Sequence, residues 1–250
     1  MRQSETAAAA AWLDAAPAGV AENLALDEVL LDAAHAGRLA GPVVRTWTAA
    51  APTVVLGSSS RIADEVDVAA CAAAGAALVR RPSGGLSVLL GPGCLVWSVI
   101  TPYPAAVPSI DAIHGAMLDP LVAALRAAGR AVERRGSSDL AVVTGDAARK
   151  VAGNALRVRR SAVLYHGTLL DAFDLDLIGR LLRHPPREPD YRAGRAHGAF
   201  VANLGLGRAA LDAAIRSAFR AAPAAVDWPR DRVAALAADR YADAAWTRRL

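Results

Sequence analysis

At 250 residues the chain is long enough to bury a full hydrophobic core, and 54% hydrophobic with 21% charged residues reads as globular rather than disordered. A net charge of +4 suits an anionic small molecule or an acidic partner, but it is too small and too dispersed to require nucleic acid. Two cysteines exclude a disulfide framework or a metal site, no apolar run reaches the ~20 residues of a membrane span, and nothing near residue 1 has a signal peptide's apolar core, so a soluble cytoplasmic protein is expected.

Residues 1–20 are alanine-rich, with Pro17 and Gly19, and read as a loosely held arm or a short first strand. From Ala21, the spacing of Leu24, Leu26, Val29, Leu30 and Ala33 predicts a helix, with Glu22, Asp27 and Glu28 favourable toward its start. Short β-rich segments follow at 43–48 and 53–56, the second closed by a small-residue turn at 57–60 that is free to face a ligand. Residues 64–74 read as a helix ending at Gly75, which leads into a strand at 76–79.

The stretch Arg80-Arg81-Pro82-Ser83-Gly84-Gly85 then interrupts two runs of strand character, 76–79 and 86–90, and reads as a hinge at a sheet edge. Paired glycines let the backbone approach a ligand and point amides into one concavity, while two arginines add fixed charge, a combination suited to phosphate. The same residues also suit an ordinary exposed hairpin. Residues 86–90 and 94–101 together resemble a hairpin around Gly91-Pro92-Gly93, with Cys71 and Cys94 as packing residues. Ser109 caps a helix to about Ala127, ended by Gly129.

Val132, 140–143, 150–158 and 162–170 read as strands of one mostly antiparallel sheet, between turns at 136–139 and 145–146. A helix at 174–182 is broken by Pro185-Pro186. Residues 183–197 form a proline-rich basic loop that reads as a solvated connector; as a nucleic-acid surface it offers only Tyr191 as a stacking ring. Two amphipathic helices, 208–219 and 230–241, complete the chain, which has no internal repeat. The expected architecture is α+β, a central mostly antiparallel sheet flanked by helices.

Lys150, in Arg149-Lys150-Val151-Ala152-Gly153-Asn154-Ala155, is the chain's single lysine in an arginine-rich background. A position that keeps lysine there suits a compact ammonium lodged between phosphate and carboxylate oxygens, where a planar guanidinium does not fit.

With both stretches in view, the chain resembles the lipoate-protein ligase and octanoyltransferase family, whose catalytic domain shares its class II synthetase-like fold with biotin-protein ligases. The likeness runs from about Ala21 to Leu204 and includes 21–28, Val55-Leu56-Gly57, the 80–85 stretch, Ser138-Asp139-Leu140, 149–155 and Tyr165-His166-Gly167-Thr168-Leu169-Leu170. It implies one catalytic domain over 1–250, with a core at 21–204, helices 208–241 packed on it, and no separate accessory domain. It further implies ATP with Mg2+, no metal-binding cluster of the protein's own, and lipoate or octanoate as the acid, joined through an acyl-adenylate to a lysine of a lipoyl carrier domain, the 2-oxoacid dehydrogenase E2 or the glycine cleavage H protein.

By the same resemblance Lys150 contacts the acyl carbonyl and the adenylate phosphate. The nucleotide falls to Arg80, Arg81, Ser83, Gly84, Gly85, Leu86, Ser87, Val88 and Leu89, with Gly153 and Asn154 beside Lys150. Asp139 is either a magnesium or nucleotide contact or a turn cap, and His166 shapes the pocket. Departures stand at Leu86, where many members carry a third glycine, and at Ser58-Ser59-Ser60, where a glutamine is usual. Short members work alone, need an accessory subunit, or act as octanoyltransferases that take a preformed chain from acyl carrier protein through a cysteine thioester. A non-catalytic acyl- or carrier-binding homologue is the reading of a different class.

Overall fold

The computed structural model describes residues 9–103, 105–145 and 147–250; residues 1–8 of the expected arm and Asp146 of an expected turn lie outside the described residues. The rest of the arm includes a two-residue strand, β1 (Ala11–Trp12), and helix α1 (Val20–His35) follows. α1 buries its polar Asn23, Asp27 and Glu28 along with its leucines, so each of those side chains needs an internal partner. β2 (Val43–Trp47) and β3 (Thr53–Leu56) are buried throughout.

The helix expected over 64–74 is two, α2 (Ile62–Glu65) and α3 (Val68–Ala73). Val66 and Asp67 are extended, and the Asp67 carboxylate caps α3 by accepting from Ala70 N at 2.9 Å. β4 (Ala77–Arg80), β5 (Val88–Leu90) and β6 (Cys94–Pro102) come next, then α4 (Ile110–Ala127), capped by Ser109 as expected. β7 (Val132–Arg135), β8 (Asp139–Thr144), β9 (Ala147–Arg159) and β10 (Ala162–Leu170) lead to α5 (Leu175–Leu181) and α6 (His197–Phe200). The chain continues through α7 (Arg208–Phe219), β11 (Ala222–Pro223), α8 (Arg230–Leu236), a π turn at Ala237–Tyr241 and α9 (Ala244–Thr247).

Eight strands form one sheet in the order β11-β1-β2-β6-β10-β9-β8-β7, parallel at β11-β1-β2 and antiparallel elsewhere. The other three form a small sheet, β4-β3-β5. Two expectations are corrected by this topology. The 80–85 stretch is no hairpin, because β4 runs parallel to β3 while β5 runs antiparallel to it, so the chain crosses over β3 between them. Nor do 86–90 and 94–101 pair, since β5 bonds β3 whereas β6 lies between β2 and β10 of the large sheet.

Alternation along β6 divides the interior. Cys94, Val96 and Ile100 join a core with α1, the small sheet and α8, while Leu95, Trp97 and Val99 join a second core with α4 and α7 on the opposite face. The two late helices therefore sit on different faces, α8 against α1 and α7 against α4.

Candidate active site

A cavity of about 670 Å3 lies on the α1 face of the large sheet, where the small sheet meets it. Leu24 of α1, Trp47 of β2, Val55 of β3, Val88 and Leu90 of β5 and Val96 of β6 give it an apolar wall. His166 and Thr168 of β10 follow across the sheet, and β9 and β8 supply Lys150, Gly153, Asn154 and Asp139. With strands about 4.8 Å apart, polarity changes from apolar to charged over the roughly 10 Å from β6 to β9.

Lys150 Nζ stands 2.7 Å from Asp139 Oδ1, and Tyr191 donates its hydroxyl to Asp139 Oδ2 at 2.9 Å. Both carboxylate oxygens are thus engaged, and burial with the Asp139 charge pushes the Tyr191 phenol well above its ordinary range. Asn154 Nδ2 donates to Ser138 O at 2.7 Å, tying the 136–139 turn to β9. The expected solvated connector is corrected here, since Arg187, Glu188, Pro189, Asp190 and Tyr191 line the cavity. Tyr191 and the guanidinium groups of Arg192 and Arg195 pack around Phe200, and Ala202 N bonds Lys150 O at 2.9 Å, so the loop is moored beside β9.

The opposite wall is the 81–88 turn. Gly85 has φ +85°, a left-handed backbone that favours glycine, and a Cβ on Gly57 would lie 1.8 Å from Gly85 O, so the two turns meet backbone to backbone. Leu86 needs no such conformation: Ala193 and Arg220 are the non-glycine residues with positive φ among those described. Glu65 Oε2 accepts from Ser87 N at 2.6 Å and from Ser60 Oγ at 3.0 Å, a buried carboxylate under the turn that no local sequence pattern announces. Ser87 Oγ, at the cavity wall, has no partner among the described residues.

The two arginines differ from expectation. Arg80 does not line the cavity: it is fully buried, with its guanidinium bonded to the carbonyls of Gly57, Ser60 and Thr247. Arg81 does line it, yet its donors go to Ser83 Oγ and to the carbonyls of Val55, Gly84 and Leu86, so it braces the turn rather than offering a free fork. Burial pushes its pKa down to about 10. Leu89 points into the core away from the cavity, and Ser83 and Gly84 stand behind the wall rather than on it. Lys150, Asp139, Gly153, Asn154, His166, Gly85, Leu86, Ser87 and Val88 converge on the cavity.

His166 Nε2 lies 2.6 Å from Ser83 Oγ, and its Nδ1 is 3.8 Å from Asp27 Oδ2. Ser83 Oγ also accepts from Arg81 Nε, and Asp27 Oδ2 has no hydrogen-bond partner among the described residues. Serine, histidine and aspartate stand in the order of a hydrolytic triad, but Ser83 is 1% exposed and does not line the cavity, which rules out attack by its hydroxyl on a substrate there. Burial works against the Asp27 charge, and Arg45 at 2.6 Å with His166 outweighs it, holding this carboxyl below its usual range. Ser98 Oγ, from the α1 face of β6, donates to Asp27 Oδ1 at 2.9 Å.

Neither cysteine reaches the cavity. Cys94 starts β6 in the core, where burial pushes its thiol up to about 12, and Cys71 is buried in α3. Among the described residues no group of three or more His, Cys, Asp or Glu side chains is placed to hold a metal, and no helix is long and apolar enough to cross a membrane.

The large, mostly antiparallel sheet, flanked by helices and carrying its cavity against a small second sheet, is the class II synthetase-like fold of lipoate-protein ligases. The bipartite lipoate protein ligase of Thermoplasma acidophilum, studied with its E2 lipoyl domain, superposes with a TM-score of 0.78 at 21% identity, covering 96% of each chain. A lipoate-protein ligase A bound with ATP superposes with a TM-score of 0.74 at 22% identity, covering 97% of this chain and 98% of that one. The octanoyltransferase LipM of Carboxydothermus hydrogenoformans is 31% identical over 186 residues, 69% of this chain and 68% of that protein. LipM of Symbiobacterium thermophilum is 31% identical over 222 residues, 80% of each. Residues 19–211 match the lipoyl protein ligase A/B catalytic domain, and the chain belongs to that family, whose members are ligases and acyltransferases.

Proposed function

We propose that this protein activates free lipoate or octanoate with ATP and transfers the acyl group to a lysine of a lipoyl carrier domain. The observation that carries the reading is Lys150 at the charged end of a cavity whose other end is apolar, with no thiol on its wall. Each methylene buried along Leu24, Trp47, Val55 and Val96 contributes about 0.8 kcal/mol, which favours a medium-length apolar tail with its carboxylate toward Lys150. In the first step the carboxylate attacks the α-phosphorus of ATP and pyrophosphate leaves; in the second the carrier amine attacks the acyl carbonyl and AMP leaves.

Lys150 exchanges its bond to Asp139 for the acyl and phosphate oxygens, offsetting their repulsion and stabilising charge on the carbonyl oxygen. Gly85, Leu86, Ser87 and Val88 hold the nucleotide from the facing wall, with Arg81, Ser83 and His166 fixing that wall. Magnesium comes with the nucleotide on its phosphates. The carrier is a 2-oxoacid dehydrogenase E2 or glycine cleavage H protein, and the bipartite Thermoplasma ligase is the reason to run the assays with source lysate, which supplies any second subunit.

A second reading, octanoyl transfer from acyl carrier protein, is favoured by the LipM relatives. A thioester on this chain's own cysteine has no buried-thiol route to the cavity, so this reading needs direct attack by the carrier lysine on the donor thioester. The test is mass spectrometry of carrier domain incubated with the protein and either ATP, magnesium and free acid or octanoyl acyl carrier protein. Modification with ATP and free acid alone supports the ligase. Modification from acyl carrier protein alone replaces it with the transferase, and none in either arm, even with added source lysate, overturns both.

A further inference from the structure

Residues 240–249 lie outside the 19–211 family match and line no part of the cavity, yet they reach the 80–82 stretch behind its wall at two points. At the first point Trp246 Nε1 donates to Arg80 O at 2.9 Å, and Arg80 answers by donating Nε and Nη2 to Thr247 O at 3.0 and 2.9 Å. The same guanidinium holds Gly57 O at 2.7 Å and Ser60 O at 2.8 Å, which sets the 57–60 turn against Gly85. At the second, Tyr241 and Arg240 both donate to Glu28 Oε2. Glu28 Oε1 faces Arg157 at 3.8 Å, and Arg157 Nη1 donates to Pro82 O at 2.9 Å.

We propose that this segment is a clamp that positions the 80–86 turn, with Trp246 and Tyr241 as positioning residues acting through Arg80 and Glu28. A turn with two adjacent glycines has much backbone freedom to lose, and whatever freedom remains in the folded protein must be surrendered when a ligand orders it. Bonds made from behind remove that freedom beforehand without occupying the ligand's side. Arg80 and Tyr241 are fully buried, so the bonds from the Arg80 guanidinium and the Tyr241 hydroxyl are shielded from competing water. The clamp's effect on turnover rests on the proposed function; its effect on the turn does not.

The test is hydrogen exchange on the full chain for wild type, Tyr241→Phe, Trp246→Phe and the double variant, alongside kinetics with octanoate, ATP and carrier domain. Tyr241→Phe keeps the ring and removes one donor, whereas Trp246→Phe removes the indole N–H together with part of the ring that Arg240 and Arg249 stack on, so Tyr241→Phe carries the comparison if the double does not fold. Amides at 81–88 are expected to exchange about tenfold faster in the double variant, with β6 and β10 unchanged. KM is expected to rise about fivefold to tenfold with kcat within twofold. Unchanged exchange at 81–88, or an equal rise throughout the sheet, overturns the clamp, and so does faster exchange at the turn with an unaltered KM. Should wild type modify no carrier domain, the proposed function fails and the exchange result alone decides the clamp.

Discussion

Lys150 is held in a space scaled to an ammonium: its Nζ is 2.7 Å from Asp139, and a Cβ at Gly153 would lie 3.1 Å from the same atom. Lys150→Arg keeps the charge but not the shape, so acyl transfer should fall at least about 100-fold with an unchanged unfolding midpoint. Tyr191 divides Asp139 between two partners. In Tyr191→Phe the carboxylate is free to hold Lys150 alone, and KM for the acid should rise severalfold with little change in kcat. Asp27→Asn strips the buried Arg45 of its counter-charge, a loss of roughly 3–5 kcal/mol by denaturant unfolding. Asp27 has a lowered folded pKa, so its stabilisation is present above the unfolded carboxylate value of ~3.9 and is lost as pH falls through the folded one. The wild-type advantage over Asp27→Asn should therefore shrink in acid.

At the level of elements, the two turns that face each other across Gly57 and Gly85 leave no room for a side chain. Gly57→Ala should push the 81–88 wall toward the cavity and weaken acid binding by calorimetry more than it lowers the unfolding midpoint. Much of this architecture was legible in local pattern: α1 from its leucine spacing, α4 from Ser109, and β8 to β10 from alternation between turns. Pairing was not. Runs on either side of the 80–85 stretch look like hairpin arms, but their shared partner is β3, more than twenty residues upstream, and nothing local encodes a parallel neighbour. The arginine pair shows the same limit, because which guanidinium faces a ligand depends on Thr247 and Val55, distant in the chain. Asp67 was the readable signal that 64–74 breaks in two. Lys150 and Asp139 were visible as chemistry, while Tyr191 and Glu65 acquire their places only when distant segments fold over the cavity.

For the molecule as a whole, the large sheet insulates two cores, with the cavity wall drawn from the α1 side. Leu118 is buried in α4 on the other side, so Leu118→Ala should cost about 2–5 kcal/mol of stability and leave the affinity for octanoate within twofold. The sheet's far edge bears on how the chain reaches this state. β1 is flanked by β2 and by β11, so Ala11 lies beside Ala222 across more than two hundred residues of sequence. Closing so long a loop precedes any reward from the pairing, which slows such topologies. During synthesis β1 can pair with β2 early, but its outer backbone groups stay open until residues 222–223 have left the ribosome. That interval exposes an unpaired edge in the nascent chain, a period when contact with a chaperone, or with another nascent copy, competes with completion of the sheet.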